Sequence, residues 1–465
     1  MKIVFCYHST DYEYHLGIAT LAAALKQVNV DTSLVIFREL VSRTTRDTVG
    51  DTVDRILEQG PDIVAFSVMT FNWRKIQQVI NQLRKSFSGF IVIGGCHAML
   101  CPEEILSFPG VDAVCTGEGE KPIQDLVRLI SQDFQPSLHP IQGMWYKEDL
   151  HSSPVPPWCN ERLEDYPYLS YEIFNQERNQ PLPEKITSPF SFAGLFVLAA
   201  VSSRGCPYKC SYCNNHSFMQ LLGGAKRFVR AYPPEKAVAG VKGLVKRYQP
   251  EFIDFVDEMF LKDMKWIQDF SQAYASEVGL PFSINVRIDR CTEENVRILA
   301  QSGLKVAFFG LECGDESYRS QYLNRHMSNA DILKGAEILR RHGVLIMTAN
   351  MFGLPLETPE IMAKTFELNR QIQPDAIAPF IYQPMPKTKL GQLAYEHGLV
   401  QAPPEDHWDY LVPALDSEIL PATYVQEQVE LFRQEFNSPE RILAIANKMR
   451  GFVGKEPWGK LPFED

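Results

Sequence analysis

Two stretches of this chain alternate short apolar runs with amphipathic helical patterns, and few folds accept that arrangement. In the first stretch the runs are Ile3–Tyr7, Ser33–Phe37, Ile63–Val68, Phe90–Gly94 and Ala113–Thr116. Helical patterns at Leu16–Val28, Thr48–Gln59, Trp73–Phe87 and Pro122–Ser131 separate them. In the second stretch the runs are Leu195–Ser202, Phe252–Val256, Phe282–Val286, Val306–Leu311, Leu345–Met351 and Ala376–Tyr382, again with helices between. A strand, a helix and a further strand close right-handedly, which makes the strands parallel. Residues 1–133 are therefore expected to form an α/β domain, a Rossmann-like doubly wound parallel sheet. Residues 191–398 are expected to form a partial (β/α)6 barrel rather than the closed eightfold one. Residues 134–190 are dense in proline and weak in periodicity, and read as a linker with a small hairpin around Gly143–Lys147. Residues 399–465 read as a helical C-terminal extension, carried by Thr423–Phe436 and Pro439–Lys448.

Both architectures bind ligands outside the carboxyl ends of their strands. There the first domain offers Ser67, Gly94-Gly95-Cys-His97 and Gly117-Glu118. In the second, the first strand runs into Arg204-Gly-Cys206-Pro-Tyr-Lys-Cys210-Ser-Tyr212-Cys213, a C-x3-C-x2-C loop. The next strand ends in Asp257-Glu258, the third carries Asn285 and Arg287, and the fourth ends Gly310-Leu-Glu312-Cys-Gly314. The fifth runs into Phe352-Gly353-Leu-Pro. Three thiols in one short loop are one fewer than a closed zinc site or an iron–sulfur cube usually takes from protein. Either His216 or a distant cysteine completes a zinc loop, or the set holds a cube with one iron left open. Each carboxylate taken alone is more often a helix cap or a solvated turn residue.

Charge and cysteine usage narrow the setting. The 465 residues carry a net charge of −11 with no Lys/Arg block, which argues against a nucleic-acid substrate. The start Met1-Lys-Ile-Val-Phe-Cys6 reads as a buried strand and lacks the long apolar region of a signal peptide. The longest apolar stretch, Phe192–Val201, is about half a bilayer span, so no integral membrane segment is expected. Ten cysteines without a secretory signal point to a reducing cytoplasm. Outside the loop, Cys6, Cys96, Cys101, Cys115, Cys159, Cys291 and Cys313 are scattered and read as small buried hydrophobes. Arg227 and Arg230 read as loop-orienting or solvated residues. Tyr382, Trp408 and Tyr410 read as core aromatics that also suit a pocket wall.

The thiol spacing, with Tyr212 before the last cysteine and these strand ends following in order, resembles the radical S-adenosylmethionine (SAM) superfamily over residues 195–385. The resemblance implies a [4Fe–4S] cluster on Cys206, Cys210 and Cys213, with SAM on the open iron. It implies Asp257 and Glu258 at the methionine amino group, where the family carries a more glycine-rich motif. It further implies Glu312 on the ribose hydroxyls, Arg325 on the SAM carboxylate and Gly353 near adenine, with Asn285 and Arg287 at another cofactor-binding strand end. One electron from the cluster would cleave SAM to methionine and a 5′-deoxyadenosyl radical that abstracts hydrogen from unactivated carbon. An electron donor such as flavodoxin or ferredoxin is implied.

The first domain carries His15-Leu-Gly-Ile-Ala-Thr-Leu-Ala-Ala-Ala-Leu25, Gly94-Gly-Cys-His-Ala-Met99, Pro102-Glu-Glu104 and Gly117-Glu-Gly-Glu120. These resemble the cobalamin-binding domain fused ahead of many radical SAM enzymes, over residues 1–130. Gly94, Gly95 and Gly117 would admit backbone against the corrin or its tail, with Ser67, His97 and Glu118 as further contacts. The Asp-x-His-x-x-Gly motif of many such domains does not occur, so no lower axial ligand is assigned. The combined resemblance implies methyl transfer to an unactivated carbon of a small molecule: an isoprenoid, a tetrapyrrole or a secondary metabolite. The alternative is radical oxidation, cyclisation or rearrangement, with cobalamin as electron carrier or the first domain vestigial. Methylthiolation of tRNA shares the core, but the acidic charge and the absence of a second cysteine trio speak against it.

Overall fold

The computed structural model describes residues 1–9, 15–39, 47–130, 140–147, 156–175, 193–400 and 412–461. Trp408 and Tyr410 lie outside the described residues. The chain divides into two compact units, Met1–Thr187 with Ser217–Phe228, and Ser188–His216 with Val229–Asp465.

In the first unit β1 (Lys2–Ser9), β2 (Asp31–Arg38), β3 (Ile63–Ser67), β4 (Phe90–Gly94), β5 (Ala113–Cys115) and β6 (Met144–Tyr146) form one sheet, ordered β2-β1-β3-β4-β5-β6. Every neighbouring pair is parallel except β5 and β6. The expected doubly wound sheet is present. Its strands are apolar on consecutive residues, as in Ile3-Val-Phe-Cys-Tyr7, because helices cover both faces. Trp73, Ile76, Val79, Ile80 and Leu83 of one such helix pack with Val64, Phe66, Ile91 and Ile93. Each such aliphatic side chain contributes roughly 1.5–3 kcal/mol by leaving water. A reciprocal cap between Thr48 and Asp51 starts helix Val49–Glu58.

The sixth strand differs from the expected hairpin. Met144–Tyr146 adds antiparallel to β5 instead of turning back on itself. A hairpin alone could not bury three consecutive apolar residues, whereas a sheet edge offers both a hydrogen-bond ladder and a covering layer. Strand order reverses between β1 and β3, which opens a crevice at their carboxyl ends. Of the scattered cysteines, Cys6, Cys159, Cys291 and Cys313 are buried as expected, Cys101 and Cys115 are half-buried, and Cys96 is exposed.

In the second unit a ribbon, β8 (Ser203–Arg204) with β9 (Arg230–Ala231), follows β7 (Val197–Ala200). With β7, the strands β10 (Phe252–Phe255), β11 (Phe282–Asn285), β12 (Leu304–Glu312), β13 (Leu345–Phe352) and β14 (Ala376–Ile381) make a wholly parallel sheet. Its order, β14-β13-β12-β11-β10-β7, leaves β7 and β14 as edges, which is the partial barrel. Phe255, Phe260, Phe270 and Phe282 seal helix Met264–Glu277 onto this sheet, with Trp266 and Phe270 stacked at 5.0 Å. The C-terminal extension is helical as expected. Helix Ala422–Phe436 places Val425, Val429 and Phe432 against Phe352 and Phe366. Helix Pro439–Phe452 places Ile445 and Met449 among Val197, Phe252 and Leu345.

One buried acid in this unit makes stability depend on pH. Glu357 is 2% exposed; one oxygen accepts from the Leu354 N–H at 3.0 Å, and Oε1 has no hydrogen-bond partner among the described residues. Burial pushes its pKa from 4.5 up to about 8. The folded chain thus keeps a proton that the unfolded chain loses between those values. The contribution is whole below pH 4.5 and is lost as pH rises through about 8. Glu357→Gln copies the protonated shape. It is expected to leave the unfolding midpoint unchanged at pH 4.5 and to raise it by on the order of 5 °C at pH 8.5. Equal midpoints at both pH values would mean the carboxylate is charged in the fold.

Candidate cluster and cofactor site

The loop after β7 is held residue by residue from different strand ends. The Gly205 N–H donates to Glu258 Oε2 at 3.2 Å. The Arg287 guanidinium lies 4.1 Å from the centre of the Tyr208 ring. Asn324 Nδ2 donates to the Lys209 carbonyl at 2.6 Å, and Arg325 Nη1 approaches Cys210 Sγ at 3.8 Å. Ser211 donates through its N–H to the Leu323 carbonyl at 3.0 Å and through its hydroxyl to the Tyr322 carbonyl. The Tyr212 hydroxyl donates to Glu312 Oε1 at 3.0 Å. A loop so restrained presents its thiols in one arrangement before any ligand arrives.

Among the described residues, the three loop sulfurs do not all lie within 4.8 Å of one another, alone or with His216. Sulfurs on a tetrahedral zinc, each about 2.3 Å from the ion, would be about 3.8 Å apart. Burial raises the pKa of Cys206, and pushes Cys213 up to about 12, while the N–H groups of Tyr208 and Asn215 act in the opposite sense on the two sulfurs. Such donors also tune the potential of a bound cluster.

Asp257 and Glu258 part company. Asp257 accepts from the Ser202 N–H at 2.9 Å, the Ser202 hydroxyl at 2.7 Å and the Ser203 hydroxyl, and Lys262 Nζ lies 3.4 Å from Oδ1. Lys262 is itself flanked by the Phe260 and Trp266 rings at 4.8 and 4.7 Å. The fully buried Asp257 carboxylate therefore pins the strand end and offers no oxygen to a ligand, contrary to the role expected for it. Glu258 keeps an accessible face while surrounding protein raises its pKa.

At the end of β12 the backbone is shaped around two side chains. Pairing shifts register between Gly310 and Glu312, and Glu312 adopts φ +67°. A non-glycine residue in that region stores on the order of 1 kcal/mol or more, and such residues cluster at functional sites. A Cβ on Gly310 would stand 1.9 Å from Glu312 Oε1, so only glycine allows the carboxylate to fold back over the strand. Arg325 fills the same recess and donates from Nη2 to the Gly310 carbonyl. Burial raises the Glu312 pKa, and Arg325 opposes this.

Arg287 is spent on protein partners. Its Nε donates to Asp289 at 2.8 Å and Nη2 to the His326 carbonyl at 3.0 Å, besides the stacking on Tyr208. It is a strut between the thiol loop and the Asn324–Arg325 turn, rather than the cofactor contact expected. Asn285 Nδ2 donates to the Asp257 carbonyl at 3.0 Å, a second brace. Gly353 has φ +70° and its missing Cβ faces Val425 at 3.1 Å, so its backbone alone remains for adenine. Arg287→Ala is expected to halve, roughly, the iron retained after anaerobic reconstitution, with Arg287→Lys intermediate. Full iron content with SAM binding lost would restore Arg287 to the cofactor contacts.

The strand ends of the first unit carry the remaining candidate residues. Ser67 Oγ lies 3.0 Å from His15 Nε2, and burial lowers the His15 pKa to about 4, so the pair is neutral. A Cβ on Gly94 would meet only Cys115 Cβ at 4.0 Å, which leaves an open cradle there. Gly95 at φ +99° instead faces the Val68 backbone at 2.7 Å, and Gly117 at φ +90° faces the Trp158 carbonyl at 2.0 Å. Glu118 Oε2 accepts from the Asn160 N–H at 2.7 Å. His97, 1% exposed, packs beside Trp73 at 6.0 Å and offers no face to a ligand as large as a corrin. Of the six residues expected at cobalamin, Ser67 and Gly94 thus keep that possibility, and the other four serve the chain's own backbone and core.

Sequence reasoning passed over Ser202, Ser203, Lys262 and Asn324, which fix the loop from behind. The one local signal was Asn324, a residue type tolerant of the φ of +49° it adopts.

Residues 4–127 match the family model for the B12 binding domain, and residues 201–368 that for the radical SAM superfamily. The chain is 23% identical over 396 residues to an uncharacterized methyltransferase of Pyrococcus horikoshii, covering 83% of this chain and 79% of that one. It is 24% identical over 375 residues to the anaerobic magnesium-protoporphyrin IX monomethyl ester cyclase of Rubrivivax gelatinosus, covering 76% of this chain and 62% of the cyclase. Its fold is similar to that of the radical SAM methyltransferase TsrM of Kitasatospora setae, solved with tryptophan and a SAM analogue. The TM-score is 0.67 at 16% identity, over 97% of this chain and 89% of TsrM. No helix among the described residues is long and apolar enough to cross a membrane.

Proposed function

We infer that this chain, a member of the radical SAM superfamily with a B12-binding domain ahead of its barrel, is a cobalamin-dependent radical SAM enzyme that transfers a methyl group to carbon. The thiol loop, braced from the carboxyl ends of a parallel half-barrel, carries the reading. When bound, a [4Fe–4S] cluster supplies one electron to the SAM sulfonium and the 5′-deoxyadenosyl radical that follows, while cobalamin supplies a methyl carrier. Cys206, Cys210 and Cys213 hold the cluster. Glu258 takes the SAM amino group that Asp257, turned inward, cannot reach. Glu312 accepts from the ribose hydroxyls, and Arg325 pairs with the carboxylate through the planar fork of its guanidinium. Ser67 and Gly94 border the cobalamin. Exclusion of water falls to the apolar core around this end of the sheet.

The substrate is a small molecule. The methyltransferase relatives support methyl transfer, and the cyclase relative supports radical oxidation or cyclisation as the second reading. A flavodoxin or ferredoxin in a cytoplasmic setting is proposed as electron donor. Anaerobic reconstitution with iron, sulfide and hydroxocobalamin, followed by turnover of SAM under reducing conditions, tests this. About one cobalamin per chain and formation of S-adenosylhomocysteine together with 5′-deoxyadenosine are expected. 5′-Deoxyadenosine alone with cobalamin bound would leave the cyclase-type chemistry standing, and no cobalamin would mark the first domain as vestigial.

A further inference from the structure

We propose that His97, Cys101 and Glu104 form a second metal site, for a zinc-class divalent ion, in the first unit and independent of the cluster loop. Helix Cys96–Leu100 stops at Cys101, which takes φ −132° and ψ 54°, and a new helix starts at Pro102. Proline drives the residue before it out of the helical region, so the break is written into Cys101-Pro102. It brings His97 from the first helix and Glu104 from the second beside Cys101.

A ring nitrogen, a thiol sulfur and a carboxylate oxygen from these residues all lie within 4.8 Å of one another. His97 Nε2 and Glu104 Oε1 are 3.6 Å apart. Nitrogen and oxygen on a tetrahedral zinc, each about 2.0–2.2 Å from the ion, are about 3.4 Å apart. An ion fits between them with a shift of a few tenths of an ångström.

His97 is 1% exposed, and neither ring nitrogen has a hydrogen-bond partner among the described residues. Buried polar atoms are normally satisfied, so an imidazole that makes no hydrogen bond among the described residues, with only the Glu104 carboxylate 3.6 Å from Nε2, is short of a ligand. Exposure rises from buried His97 through half-buried Cys101 to exposed Glu104, which gives an ion a way in and leaves its fourth position to water. Nitrogen, sulfur and carboxylate together suit zinc better than magnesium or calcium. Such an ion would staple the turn that follows Gly94-Gly95 at the end of β4.

The test counts zinc on the full chain, anaerobically purified and equilibrated with Zn2+ in a weak chelator. About one zinc per chain is expected both in the wild type and in the combined Cys206→Ala, Cys210→Ala, Cys213→Ala chain. Cys101→Ala should abolish it, and Cys96→Ala, at an exposed neighbour, should not. In the combined variant Co2+ should give a thiolate-to-metal absorption band that Cys101→Ala removes. Because His97→Gln disturbs a buried position, exposed Glu104→Gln is the second probe, with zinc affinity expected to fall tenfold or more. Zinc that disappears with the cluster cysteines, or that persists unchanged in both Cys101→Ala and Glu104→Gln, overturns the site and leaves His97 and Glu104 as a simple polar pair.

Discussion

Cys206→Ala, Cys210→Ala and Cys213→Ala are each expected to abolish the broad brown absorption of the reconstituted protein and to lower SAM cleavage about 1,000-fold or more. The three sulfurs come from one braced loop, and losing one would leave one iron of a bound cluster without its protein ligand. Burial raises the pKa of Cys206 and Cys213, so loading a cluster onto these two sulfurs must displace protons. Iron uptake should therefore fall as pH is lowered. The check is iron and sulfide per chain with an EPR spectrum of the reduced protein. A colourless wild type holding one zinc on these cysteines would end the radical reading altogether.

Gly310→Ala is expected to separate SAM binding from cluster binding. The added methyl would meet Glu312 Oε1 at 1.9 Å and Arg325 Nη2 at 3.4 Å. Both are ends of movable side chains, so the fold tolerates the change and the two groups proposed to face SAM are what move. SAM affinity should drop about 100-fold, some 2.7 kcal/mol, while iron content and EPR signal persist, because none of the loop's other braces involves Gly310. Equilibrium dialysis with SAM on the reconstituted variant is the measurement. Unchanged affinity would remove Glu312 and Arg325 from the SAM site. Recovery of part of the affinity on adding Glu312→Asp, which shortens the clashing side chain, would confirm the geometry of the failure.

Much of this architecture is legible along the chain. Apolar runs in period with helical stretches place every strand of both parallel sheets within two residues or so, because those strands are buried on both faces and have no polar side to blur the pattern. β6 was read at its place but as half of a local hairpin, because nothing in a three-residue apolar run points to β5 as its partner. The candidate site was legible as a set: Cys206, Cys210, Cys213, Tyr212, Glu258, Glu312 and Arg325 do gather at the carboxyl ends of the second sheet.

What each polar group does there was decided elsewhere. Asp257 and Glu258 are neighbours in sequence, yet the turn that follows β10 sends one carboxylate into the Ser202–Lys262 network and leaves the other exposed. Arg287 could be read as a ligand until Tyr208, Asp289 and the His326 carbonyl claimed it. His97 could be read as a corrin contact until Trp73 and the break at Pro102 turned it inward. The sequence by itself determined two parallel α/β sheets and a three-thiol loop at the end of a strand, since periodicity and spacing are local properties. Only the tertiary structure decided which side chains remain available to a ligand. That depends on competition for hydrogen-bond partners across distant segments, such as Ser202 with Asp257 or Tyr212 with Glu312, and a buried polar group takes whichever partner the fold brings within reach.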